Sequence, residues 1–140
     1  MKRLLLIFAL LPMLLSCQNA GMRIWRASGD NGDKPGIGFE LRKDGRGISG
    51  FAFLLDPDFP NDFAHTGLRR AMTLVSQSSN AVSFRVEWNE NSTEILVFRF
   101  EKADWPDSFD ATVTSMRGAE TSAPRVFTFK RHSPRPPSSL

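Results

Sequence analysis

Asp56-Pro57-Asp58-Phe59-Pro60-Asn61-Asp62-Phe63-Ala64-His65 packs three carboxylates, an amide and an imidazole into ten residues. Side chains of these kinds can gather round a cation, move a proton or cap a turn. Calcium needs oxygen ligands that converge on one point, and Asp56, Asp58 and Asp62 supply oxygens. The glycine and closing glutamate of an EF-hand loop are absent, so no metal site is expected here. Capping of a short helix by Asp58 or Asn61, with Pro60 in its first turn, accounts for the residues more simply. The functional use that remains is contact with a partner, because exposed loops on a rigid scaffold carry function more often than the scaffold does. The candidates are Asp56, Asp58, Phe59, Asp62, Phe63 and His65, together with Trp105 and Phe109 from a second loop, Asp104–Phe109, whose aromatic side chains resemble interface anchors.

Covalent catalysis has little to work with. His65 and His132 are the only imidazoles, and Cys17 is the only thiol. Neither a Gly-x-Ser-x-Gly elbow nor a His-Glu-x-x-His pattern occurs. We therefore expect no enzyme and no cofactor. Removing the leader and the last sixteen residues leaves twelve basic against fifteen acidic residues, so the body is slightly acidic. It lacks the concentrated basic face that nucleic acid requires.

Cys17 has a different context. Met1-Lys2-Arg3 is a short positive start, and Leu4 to Leu15 is an apolar run. At about 1.5 Å per residue that run extends roughly 18 Å, too short for a ~30 Å hydrocarbon core. A positive start, a short apolar stretch and a small residue describe a secretory signal. Leu14-Leu15-Ser16-Cys17 then resembles the lipobox of bacterial lipoprotein precursors: an aliphatic residue three before the cysteine, a tolerant position, a small residue, then Cys. The resemblance covers only the leader. It implies that the Cys17 thiol takes a diacylglyceryl group and becomes the new amino terminus. Gln18, not Asp, follows it, which by the Gram-negative sorting rule implies the outer membrane; the expected side is the periplasmic one, though the rule itself does not set the face. Two or three acyl chains anchor stably, at about 0.8 kcal/mol per buried CH₂. On this reading residues 1–16 are a signal peptide, 17–21 the lipidated cysteine and a short tether, 22–131 a β-rich domain, and 132–140 a disordered Pro/Ser-rich tail.

The elements that position the candidate loops are strands. Short β-rich runs recur between turn residues: Met22–Ala27, Gly36–Lys43, Gly47–Leu55, Arg70–Ser76, Ala81–Trp88, Thr93–Phe100, Phe109–Met116 and Val126–Arg131. In Ala81–Trp88, Val82, Phe84, Val86 and Trp88 share one face, while Ser83, Arg85 and Glu87 share the other. Such alternation is the mark of antiparallel strands with one wet face. Lys43-Asp44-Gly45-Arg46 is a hairpin turn, and the Gly-, Asp- and Asn-rich stretch Ser28–Gly36 reads as a loop. The expected fold is all-β, an antiparallel up-and-down meander of about eight short strands forming a small barrel or sandwich. Gly47–Leu55 is apolar on both faces and needs cover on both, which Asp56–Leu68 can provide with Phe59 and Phe63 pointing down. The expected role is a non-catalytic envelope lipoprotein that binds a protein partner in an inhibitor, immunity or accessory capacity. The alternative is a lipocalin-like or avidin-like cup for a small apolar ligand, lined by Trp25, Trp88 and several Phe.

Overall fold

The computed structural model describes residues 21–31, 34–59, 62–64, 66–101 and 104–133. Nine strands follow one another: β1 (Arg23–Asn31), β2 (Lys34–Asp44), β3 (Gly47–Leu55), β4 (Thr66–Gln77), β5 (Ala81–Asn89), β6 (Ser92–Arg99), β7 (Ser108–Arg117), β8 (Glu120–Thr121) and β9 (Arg125–His132). Each of β1 to β7 pairs antiparallel with the next, β9 pairs with both β7 and β1, and the ring is closed. Eight strands therefore make an up-and-down barrel rather than a sandwich, and β8 pairs with β7 alone outside it. Closure leaves the eight barrel strands without free edges.

Every expected strand forms, but three run longer than their composition suggests. β1 and β2 continue through the Gly- and Asn-rich stretch, pairing Ser28 with Gly38 and Gly29 with Ile37. Gly29 is there for space, not for a turn: a Cβ at this position would sit 2.6 Å from Phe127 Cε1. β4 begins at Thr66 rather than Arg70, because Leu68 pairs with Leu54 and Thr66 with Leu55. Ladder pairing has overridden local propensity in both places.

The inward positions fill the barrel with rings. Phe98 meets Phe39 at 5.1 Å, Phe84 at 5.8 Å and Phe129 at 6.1 Å between centroids, and Phe109 stacks on Phe129 at 5.2 Å. Trp25, Leu41, Val82, Val86 and Leu96 complete a buried centre. Gly50 belongs to this packing, since a Cβ would fall 2.5 Å from both the Glu40 carbonyl and the Met72 methyl.

The outer wall of β1–β4 carries the second apolar layer. Phe63 folds back over β2, where a Cβ on Gly38 would lie 2.9 Å from its ring, and meets Phe53 edge-on at 5.2 Å. Phe59 does not point down with it; it is 48% exposed. Beneath this cover Glu40 is buried on the outer face. It accepts hydrogen bonds from Arg26 Nε at 2.8 Å and Arg42 Nε at 2.6 Å. Arg26 lies over the Phe63 ring, and Arg42 and Arg69 over Phe51. Burial pushes the Glu40 carboxyl up, but hydrogen bonds and charge from the two arginines outweigh it and hold it below the ordinary carboxylate value. A lowered carboxylate stabilises the fold above its unfolded-state pKa, and that contribution fades as pH falls through the folded value. Glu40→Gln is expected to cost about 2 kcal/mol at pH 7. In urea unfolding, the gap from the parent protein should narrow between pH 5 and pH 3. A gap that stays constant with pH would contradict this account.

The two ends of the barrel differ. One end holds the turn at 45–46, the turn at 78–80 and the 100–107 connection, together with the start of β1 and the end of β9, where Ile24 pairs with His132. It is plugged. Trp105 packs on Trp25 and Phe100 at 5.2 Å and on Phe109 at 5.6 Å. Trp25 Nε1 donates to the Pro106 carbonyl at 2.7 Å. The other end holds the β1–β2 hairpin tip, the segment between β3 and β4, the turn at 90–91 and the β8 excursion.

Candidate functional site

In β6 the pleat sends Glu94, Leu96 and Phe98 inward, and Glu94 stands near the strand's start, at the unplugged end. A carboxylate on an apolar face must find donors or the strand would not form there. It finds two. Trp88, the last inward residue of β5, donates Nε1–H to Glu94 Oε2 at 3.3 Å. Arg117, at the end of β7, donates Nε–H to the same oxygen at 2.7 Å. The β6–β7 register sets Ile95 opposite Met116, so Arg117 arrives beside Glu94. The exposures are unequal: the Glu94 side chain is 4% exposed and the Arg117 side chain 66%. The pair joins a buried acid to a surface base.

Beside this pair the barrel mouth opens into a cleft of about 460 Å³. Ile37, Phe39, Leu96, Val113 and Phe127 line its apolar floor. Ser115, Glu120, Thr121, Ser122 and Arg125 form the polar rim, with Glu94 and Arg117 between floor and rim. The cleft falls within the usual size range of small-molecule sites.

The residues singled out from the sequence divide between the two ends. Asp56, Asp58, Phe59, Asp62 and Phe63 belong to the segment after β3, at the cleft's end of the barrel but on its outer wall. Asp56 Oδ1 accepts from the Asp58 N–H at 2.9 Å, and Asp62 Oδ1 accepts from the Ala64 N–H at 2.8 Å. These carboxylates brace turns, and no helix forms among the described residues, so the helix-capping role expected of Asp58 is corrected. Among the described residues, no three His, Cys, Asp or Glu side chains form a group that could hold a metal ion. Trp105 and Phe109 lie at the opposite, plugged end. Phe109 is a core residue and Trp105 is half-buried against Trp25, so the two do not form an exposed contact pair. His65 and Cys17 lie outside the described residues. Glu94 and Arg117 were not among the sequence candidates. The signal was the pleat itself, since Glu94 shares its parity with Leu96, Phe98 and Phe100.

Comparison with protein families, curated proteins and solved structures found no match to this chain.

Proposed function

We propose that the protein is a non-catalytic bacterial lipoprotein, held to the outer membrane through acylated Cys17 and facing the periplasm, whose barrel engages a protein partner in an inhibitor, immunity or accessory role. One observation carries this reading: β1 enters the barrel at the plugged end. A tether leading there from Cys17 turns the opposite end, with its long β3–β4 connection, away from the bilayer. Asp58 and Phe59 are both exposed on that connection, and aromatic side chains such as Phe are enriched at interfaces. The ring-filled interior also favours a surface over a deep cavity as the working part.

The test is site-specific photo-crosslinking in intact envelopes. A crosslinking amino acid at Phe59 should give one discrete adduct, and the same group at Arg46, in the turn at the plugged end, should give none. Asp58→Lys should reduce the Phe59 adduct severalfold. Equal adducts from both positions, or none from Phe59, would end this assignment of the contact surface.

A further inference from the structure

The mouth cleft has a chemistry of its own, independent of any lipid anchor. A nearly buried carboxylate in an apolar wall needs a cation, and the chain supplies one from a side chain that is mostly in solvent. Such a partner is only loosely committed. Arg117 keeps most of its surface in water, so leaving Glu94 exposes little that was hidden. Both hydrogen bonds to Glu94 from the described residues fall on Oε2. Glu94 lines the cleft, and Glu120 adds a second carboxylate at the rim. Below them the surface turns apolar. From rim to floor the surface passes from charged groups of both signs, Glu120 and Arg125 among them, to hydrocarbon.

We propose that this cleft binds a small amphipathic cation, an alkyl- or arylammonium. Its apolar body lies on Leu96, Val113 and Phe127, and its charged head takes the place of the Arg117 guanidinium at Glu94. Arg117 then acts as a tethered occupant that holds the empty site closed. A carboxylate head would meet Arg117 and Arg125, but it could not take the place of the guanidinium at Glu94. A wholly apolar ligand would leave the Glu94–Arg117 pair untouched and gain only the floor.

Trp88 reports directly on the site, since its indole N–H is bonded to the carboxylate in question. The experiment is a calorimetric and fluorescence titration of the full-length protein in non-ionic detergent. The probes are 2-phenylethylammonium, its neutral isostere 2-phenylethanol and the anion 3-phenylpropionate, all soluble enough to stay out of the micelle. The ammonium should bind saturably and shift a Trp emission component that Trp88→Phe removes. It should bind at least about tenfold more tightly than either isostere, as expected for a charge-assisted contact. Glu94→Gln should erase that preference. Arg117→Ala should tighten ammonium binding by roughly fivefold, because a competing internal ligand is gone. This last variant keeps the proposal open to refutation even if Glu94→Gln folds poorly. Overturning results are an ammonium no tighter than the alcohol, a preference for the anion, or Arg117→Ala binding unchanged or weaker.

Discussion

Phe98→Ala is expected to remove about 3–5 kcal/mol of folding stability, the cost typical of deleting a buried ring whose site cannot collapse. The barrel geometry explains why collapse is difficult. Phe98 extends from β6 to the middle of the barrel and touches rings from β2, β5 and β9. Those neighbours are fixed by ladders around a closed ring, so no single strand can move inward to fill the hole. Against a total of about 5–15 kcal/mol for a domain of this kind, the loss is a large fraction. Thermal unfolding should fall by roughly 12–25 °C. Val126→Ala supplies the control. Val126 lies on the outer wall of β9, 67% exposed, and its truncation should cost no more than about 0.5 kcal/mol. The comparison also tests register. A one-residue slip of β6 would turn Phe98 outward and bring Val97 in. Equal stability of the two variants would show that the strand is not seated as described.

That same pleat made most of the barrel readable in advance. In β5 the alternation of Val82, Phe84, Val86 and Trp88 with polar residues leaves one way to face the core, and those four are buried. Short polar turns at 78–80 and 90–91 left no length for parallel crossovers, so the meander followed. What composition could not show was where packing asks for glycine. Gly29 sits in a stretch rich in turn residues, yet it extends a strand because the Phe127 ring needs the room. Phe127 is nearly a hundred residues away, and no local rule connects them.

The candidate site was legible unevenly for the same reason. Phe63 and Phe59 are four residues apart in one loop, but only Phe63 reaches Gly38 and covers the wall. Trp105 looked like an exposed anchor because its partner Trp25 lies eighty positions earlier, and the hydrogen bond from Trp25 to Pro106 is invisible in the chain. Trp105→Ala is therefore a poor probe of binding, since it would disturb the plug. Phe109 could have been placed inside, because it shares parity with the buried Ala111 and Val113. Glu94 was equally exposed to that test. An acid in register with Leu96 and Phe98 breaks the pattern of its own strand, and breaks of this kind tend to mark positions with a special partner.

Under the proposed acylation of Cys17, Cys17→Ser should remove the protein from the outer-membrane fraction. Residues 18–21 span at most about 14 Å, so an acylated Cys17 leaves the domain resting on the lipid face. Without the acyl chains, what remains at the plugged end is a scatter of surface charge such as Arg23 and Arg131. Basic residues near an anionic surface contribute about 1 kcal/mol each, whereas two or three acyl chains contribute about 0.8 kcal/mol for every buried CH₂. The serine variant, left without acyl chains, should appear in the soluble periplasmic fraction where the leader is removed, and as a precursor held at the inner membrane by its apolar run where it is not. Orientation supplies the sharper measurement. With Cys17 acylated and unreactive, a thiol label at Arg46→Cys reports the plugged end and one at Glu90→Cys the open end. The barrel strands, of eight to twelve residues at about 3.3 Å rise, hold the two labels some 20–30 Å apart along the barrel axis once tilt is allowed for. A headgroup nitroxide should quench the label at 46 strongly and the label at 90 weakly. Equal quenching would mean that the barrel lies on its side. The reverse order would turn the Glu94 cleft toward the bilayer, and with it the source of any amphipathic cation from the periplasm to the lipid itself.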